Sequence, residues 1–404
     1  MNSLPSNVIQ RNHYINKVIP FIDKSIIKVF TGQRRVGKSY LLFQIMDYIK
    51  NNFQVFQILY INKEDLSFSF INSAEELVNY VNKQITNQKK MYVFIDEIQD
   101  IPDFSLALRS LLLNENIDIY CTGSNATMLS SDIAGYLSGR YIEINVQSLT
   151  YVEFLMFHKL KDTPESLESY LKYGGLPYLK NLPLRDDVVF EYLKSIYTTI
   201  VYRDIINRYA IRNVAFLEKL VHFVCSNTGS IFSSKKISDF LKSQKTNMPP
   251  NQVQLYVNYL VHAFLIHKVN RYDLVGKRLF EIGEKYYFEN LGIRNAIWGY
   301  RIEDRGKIIE NLVYNELLFR GYDVQVGIIG TNEIDFIANK NNEIWYVQVA
   351  LQLTEEQTFQ REFGNLLKIN DNYRKTVVTL DVYKGNTFEG IEIMDLRTFC
   401  MLTD

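Results

Sequence analysis

The stretch from Val29 to Leu42 constrains this chain more than any other. An apolar strand runs into Gly32-Gln33-Arg34-Arg35-Val36-Gly37-Lys38-Ser39, and Tyr40-Leu41-Leu42 then opens an apolar helix. Gly-x-x-x-x-Gly-Lys-Ser between a strand and a helix reads as a phosphate-binding loop. Gly32 and Gly37 let the backbone wrap tightly enough for successive N–H groups to face one anion, together with the positive end of the following helix. Lys38 supplies a point charge for the β and γ phosphates, and the Ser39 hydroxyl can ligate Mg²⁺. The residues from Gly32 to Tyr40 are therefore candidates for binding ATP with Mg²⁺.

A second anchor lies about 60 residues on. Tyr92-Val93-Phe94-Ile95 is an apolar run that ends in Asp96-Glu97. Such a run suits a strand buried on both faces of a parallel sheet, and its C-terminal edge is where such sheets hold ligands. Asp96 is placed to hold Mg²⁺, directly or through water, and Glu97 to orient and deprotonate an attacking water. A further buried strand, Ile117 to Thr122, closes in Gly123-Ser124-Asn125. Ser124, with Asn125 second, is the candidate to face the γ-phosphate; capping the next helix is the alternative. Arg140, after Leu137-Ser138-Gly139, is a candidate arginine finger, in cis or across a subunit boundary, or else a salt-bridge partner within the fold. Upstream, Tyr14 or Arg11 could wall the base, or could simply pack a surface helix.

Composition narrows the remaining classes. A chain of 404 residues exceeds one ordinary core, so several domains are expected. Lys plus Arg and Asp plus Glu both number 45, and this balance removes any global electrostatic case for nucleic acid while allowing a local basic face. Cys121, Cys225 and Cys400 are far apart in apolar surroundings and read as reduced packing residues, which suits the cytoplasm. The scattered histidines offer no zinc spacing. There is no apolar leader and no run long enough to span a membrane.

From Gln147 helical patterning takes over, with segments at 151–160, 167–173 and 188–209 that could form a lid over a nucleotide. Asp204 and Arg208 are spaced as a helix-supporting pair. Helices at 214–225, 233–241 and 251–261 precede strands at 264–269 and 279–282, the pattern of a winged helix. DNA is a possible partner, but the third helix carries no Lys or Arg, which weakens that case.

Phe30 to Ser39, Ile95 to Gln99, Thr122 to Ala126 and Ser138 to Tyr141 together resemble the prokaryotic AAA+ ATPases that carry a C-terminal domain of unknown function. The likeness continues through Tyr173-Gly174-Gly175-Leu176-Pro177, Tyr202 to Ile206 and Gly306 to Asn311. The last segment resembles a PD-(D/E)XK nuclease fold, in which Asp335 matches the metal-binding acid. The following strand should then carry acid-x-Lys, but it carries Gln348 and Ala350. A lysine such as Lys368 or Lys375 would have to substitute, so nuclease activity is not expected.

The expected architecture is α/β. It comprises an AAA+ P-loop core at 1–147, a helical lid at 148–210, a winged-helix-like domain at 211–284 and a PD-(D/E)XK-like domain at 285–404. The expected function is Mg²⁺-dependent ATP hydrolysis that drives or gates a conformational change on an unidentified protein partner, in a possible oligomer. A nucleotide switch with little turnover and a DNA-processing ATPase-nuclease are the alternatives.

Overall fold

Apolar runs without polar alternation can be buried only where both faces of a sheet are covered. Strands β1 (Ile27–Thr31), β3 (Lys90–Asp96) and β4 (Ile117–Gly123) are such runs, and nearly every residue in them is buried. The structure is a computed structural model that describes residues 8–86, 89–126, 137, 139–243, 247–276, 278–353, 356–380 and 385–402. The chain divides into two compact units, one comprising Met1–Gln147 with His262–Phe264 and the other Ser148–Val261 with Leu265–Asp404.

The first unit is built on a five-stranded sheet of order β2-β3-β4-β1-β5, with β2 at Phe56–Asn62 and β5 at Tyr141–Asn145. All four pairings are parallel. Helices α1 (Asn12–Val18), α2 (Lys38–Asn52), α3 (Ala74–Gln84) and α4 (Phe104–Leu111) complete it. Val29, Val93, Ile95, Ile119 and Cys121 form one core with Leu77 and Val81 of α3 and Leu108 and Leu111 of α4. Helix α2 lies against β4, burying Leu41, Leu42, Ile45 and Ile49, each worth about 1.5–3 kcal/mol. Because β4 sits between β1 and β3, the residues that end it fall between the phosphate loop and the acid pair. At the other end of the same strands, Lys28 is buried against Asp118, which also accepts from the Tyr120 hydroxyl at 2.8 Å and the Asp23 amide at 3.0 Å.

The second unit starts with helices α5 (Tyr151–His158), α6 (Pro164–Tyr173) and α7 (Asp186–Thr199), which runs on into a π-helical segment at Ile200–Asn207. Asp204 falls within this π-helical segment and is fully buried. Helices α8 (Val214–Ser226), α9 (Ser234–Ser243) and α10 (Pro250–His262) precede the hairpin β6 (Ile266–Asp273) and β7 (Arg278–Phe288). Helices α11 (Leu291–Trp298) and α12 (Arg305–Phe319) follow. Then come β8 (Asp323–Ile329), β9 (Asn332–Lys340), β10 (Glu343–Ala350), α13 (Glu356–Leu367), β11 (Arg374–Thr379), β12 (Thr387–Phe388), β13 (Ile391–Asp395) and α14 (Leu396–Met401).

All eight of these strands form one sheet, of order β12-β13-β11-β10-β9-β8-β6-β7. The boundary expected at 284/285 therefore falls inside β7. The hairpin does not stand apart, because β6 bulges between Val269 and Arg271 and then pairs in parallel with β8 over Arg271–Asp273. A bulge re-aims a strand, and here it leads β6 onto the edge that β8 offers. Phe336, Ala338, Trp345 and Val347 face a core that includes α5, α6, α12 and α14, whereas Ile334, Ile337 and Tyr346 face Phe363 and Leu366 of α13.

The family-like motifs of this unit have packing reasons. A Cβ on Gly175 would stand 2.2 Å from the Leu149 carbonyl oxygen, so no other residue fits there. The Asn311 side chain accepts from the Phe288 amide at 2.7 Å and donates to its carbonyl at 2.8 Å, which closes the end of β7 as a neighbouring strand would. Glu316 is buried, accepts from the Tyr151 amide at 3.1 Å and lies 3.7 Å from Arg320. Burial pushes its carboxyl up to about 7 from 4.5, although Arg320 opposes the shift.

A raised carboxyl binds its proton more tightly in the folded chain than in the unfolded one. The stability that Glu316 contributes is therefore greatest below pH 4.5 and falls as pH rises towards 7. Glu316→Gln keeps an acceptor for Tyr151 and removes the titration. At pH 7.5 the variant should be more stable by about 1–2 kcal/mol, with the difference shrinking below pH 5. Chemical denaturation at the two pH values measures this, and a loss of stability at pH 7.5 would contradict it.

Candidate functional site

Backbone sterics set the phosphate loop. Gly32 has φ +140° and Gly37 φ +101°, and a Cβ on Gly32 would lie 2.1 Å from the Val146 carbonyl oxygen. Only glycine permits that close approach. Gly37 caps α2, so the helix begins at Lys38 with its free N–H groups facing the loop. The Lys38 ammonium is buried and folded back into the loop, donating to the carbonyls of Gly32 at 2.8 Å and Gln33 at 2.9 Å. Val36 is buried, Arg34 is half-buried and lies 3.7 Å from Glu64, and Arg35 and Tyr40 are exposed. Gln33 is fully buried. Its side-chain N–H donates to the Phe264 carbonyl at 3.0 Å, while its Oε1 has no hydrogen-bond partner.

Of the two readings for Arg11 and Tyr14, packing within the fold is the one their burial favours. Both are buried, with the Arg11 guanidinium 4.6 Å from the Tyr14 ring centre. Arg11 donates to the carbonyls of Val36 at 3.2 Å and Gln147 at 2.9 Å, and the Tyr14 hydroxyl accepts from the Gln147 amide at 2.9 Å. The Arg11 guanidinium and the Tyr14 hydroxyl thus tie α1 to the backbone at Val36 and Gln147.

Asp96 and Glu97 end β3 beside this loop. Asp96 is almost wholly buried and receives three hydroxyls, from Thr122, from Ser39 and from Tyr60 at 3.0 Å. Burial raises its pKa, and these donors offset only part of that rise. The same Thr122 hydroxyl accepts from the Glu97 amide at 3.0 Å, so one β4 side chain ties both acids. Glu97 is left-handed at φ +56°, a costly conformation for a side-chain-bearing residue, and its carboxylate accepts from the Gln99 amide. Ser124 is fully buried, and its Oγ has no hydrogen-bond partner. Asn125 beside it is also fully buried.

Ser39 and Asp96 are already within hydrogen-bonding reach of each other, and both offer the hard oxygen that Mg²⁺ prefers. Among the described residues no three His, Cys, Asp or Glu side chains gather as a metal site. An ion here would thus draw most of its ligands from phosphates and water, which is the usual way for Mg²⁺.

Arg140 is not brought to this edge. It is exposed immediately before β5, and Ile27 pairs with Tyr141 while Thr31 pairs with Asn145. Arg140 is therefore level with the start of β1. The loop leaves the other end of that strand, about 16 Å away at ~3.3 Å per residue. In this arrangement the Arg140 side chain does not reach the loop of its own chain. Tyr60 escaped the sequence reading, where its signal is a hydroxyl near the end of an apolar strand, and Thr122 entered it only as a strand end and motif member.

In the second unit, the expected metal acid Asp335 is buried. Its carboxylate accepts from the Val349 amide at 2.8 Å, and its own amide donates to Gln348 at 3.2 Å. Burial, with Glu310 and Glu362 nearby, pushes its pKa well up. Neither of the substitute lysines considered is the cation next to these acids. Lys285 is, at 3.2 Å from Glu310 and 2.6 Å from Glu333. Burial works against its charge, but Glu310, Asp335 and Glu333 outweigh it and hold the ammonium protonated. Lys375 is taken up by Asp371 at 3.1 Å. Lys285→Met should leave buried Asp335 and half-buried Glu310 and Glu333 uncompensated and cost about 3 kcal/mol, measured by denaturant unfolding. A loss under 1 kcal/mol would show that these acids need no internal cation.

A family described as an AAA domain matches residues 24–155, and one described as a domain of unknown function matches residues 164–304. An uncharacterized protein of Haemophilus influenzae is 35% identical over 395 residues, spanning 96% of this chain and 97% of that one. An uncharacterized protein of Methanocaldococcus jannaschii is 30% identical over 418 residues, spanning 96% and 88%. Among solved structures, a Walker-type ATPase of Pyrococcus abyssi has a similar fold, with TM-score 0.50 and 15% identity, covering 72% of this chain and 96% of that one.

Proposed function

Because this chain carries an AAA domain and belongs to the same protein family as its full-length relatives in Haemophilus influenzae and Methanocaldococcus jannaschii, we propose that it binds ATP with Mg²⁺ and hydrolyses it to gate a conformational change. One observation carries this reading. Lys38, Ser39, Asp96, Glu97 and Ser124 come from three separate elements and converge at one sheet edge, around a loop that only glycine can form.

The division of labour follows from the chemistry of each group. Lys38 leaves the carbonyls of Gly32 and Gln33 to meet phosphate oxygens, exchanging two neutral acceptors for charged ones. Ser39 and Asp96 hold Mg²⁺, which when bound neutralises charge on the phosphates. Glu97, once shared with or released by Gln99, orients a water and takes its proton as that water attacks the γ-phosphorus and the bond to the β,γ-bridging oxygen breaks, releasing ADP. Ser124 presents its unpartnered hydroxyl towards the γ-phosphate. Gating is supported by Gln33. Its backbone answers to Lys38, while its side chain holds the carbonyl of Phe264, a left-handed residue just before β6. An unidentified protein partner fits better than DNA, since α10 offers phosphates no Lys or Arg.

Lys38→Ala should weaken ATP binding by roughly 10- to 100-fold, the worth of a charged hydrogen-bonding group. Glu97→Gln should keep ATP affinity within a few-fold while turnover falls roughly 100- to 10,000-fold. Equilibrium binding and phosphate release measure the two. Unchanged affinity in the first variant would remove the phosphate-loop assignment, and near-normal turnover in the second would remove Glu97 as the base.

Arg140 acts from a second subunit in this proposal, because its own sheet holds it at the far edge. Arg140→Ala should bind ATP normally and turn over slowly. Mixing it with Lys38→Ala, which retains the arginine, should restore part of the activity. Full activity of Arg140→Ala alone would leave this residue no part in hydrolysis.

A further inference from the structure

We propose that Tyr60 is a positioning residue for the carboxylate of Asp96, an inference that rests on the Mg²⁺-ATP reading above and adds to it. Tyr60 lies on the edge strand β2, where Asn62 is the register partner of Asp96. Two residues back along a strand is the same face and about 6.6 Å away. A shorter side chain at this position would stop short of Asp96, but the phenol spans the gap and its hydroxyl donates to Oδ2 at 3.0 Å.

The three donors to Asp96 are not equivalent. Thr122 holds Oδ1 from β4, Tyr60 holds Oδ2 from β2, and Ser39 approaches from the first turn of α2. Ser39 is the donor proposed to turn to the metal. Tyr60 and Thr122 would then be the two that keep the carboxylate plane in place. The tyrosine ring packs beside α2. Its centroid is 5.3 Å from Phe43, which meets the exposed Tyr40 ring at 5.9 Å, so an aromatic row runs from the residue after Ser39 to the strand that orients Asp96.

Two substitutions separate hydroxyl from ring. Tyr60→Phe keeps the packing on Phe43 and removes only the donor, whereas Phe43→Leu disturbs the packing and keeps the donor. Binding of a fluorescent ATP analogue is measured in EDTA and across a Mg²⁺ titration, alongside thermal unfolding of each variant. In Tyr60→Phe the affinity in EDTA should stay within twofold of the parent. The Mg²⁺ concentration for half-maximal tightening should rise roughly tenfold, as for a lost hydrogen bond to a charged group. Phe43→Leu should leave that midpoint within twofold even where its unfolding temperature drops. In an Asp96→Asn background, Tyr60→Phe should add no further shift, because the hydroxyl acts through Asp96. An unchanged midpoint in Tyr60→Phe, or an equal shift in Phe43→Leu, would overturn the proposal. A parent protein that binds no analogue would instead remove the ATP reading on which it rests.

Discussion

A carboxylate nearly closed off from water stays ionised only where donors replace the water it has lost. Asp96 is in that position, and the first unit is arranged to supply those donors from three sides: Ser39 on α2, Tyr60 on β2 and Thr122 on β4. The strand order makes this possible. With β4 between β1 and β3, and β2 on the other side of β3, each neighbour of the acid-bearing strand brings one hydroxyl to Asp96. A slip of one residue in either pairing would turn the hydroxyl to the opposite face. Sheet register and site chemistry are thus a single constraint.

The loop beside it follows a second logic, in which its charged groups are met by partners within the same unit. Lys38 is bonded to the loop's own carbonyls, Glu97 to Gln99 and Arg34 to Glu64. Each such contact gives a charged group a polar partner in place of water. Ser124 Oγ and Gln33 Oε1 are the contrast, buried and without hydrogen-bond partners. Orphaned buried atoms are uncommon and cost free energy, so they mark where the arrangement serves something other than stability.

The second unit solves the same electrostatic problem differently. Its acids Glu310, Glu333 and Asp335 face a lysine supplied from β7, while the Tyr287 hydroxyl donates to Glu310 at 2.6 Å. Lys285 can do this only because the β6–β7 hairpin belongs to the same eight-stranded sheet as β9, which carries Asp335. A single sheet therefore both removes the boundary drawn between two domains and supplies the missing cation.

How much of this could be read from the chain follows from the range of each interaction. The phosphate loop, the acids at the end of β3 and the strand that ends before Ser124 are local patterns, in which glycine sterics and apolar runs act over a few residues. So were the helices and hairpin between Val214 and Phe288, whose periodicity lies in the sequence itself. Other features needed the tertiary structure. Tyr60 reaches Asp96 across 36 residues, Gln33 reaches Phe264 across 231, and Lys285 reaches Glu310 and Glu333 from a strand that looked like part of another domain. Arg140 is the converse case. Its glycine turn was legible, but only the parallel pairing of β5 with β1 decided that it stands at the edge away from the loop. Sequence patterns determine which local conformations a segment can adopt, whereas strand order and register decide which distant side chains share one edge, and no local pattern encodes that choice.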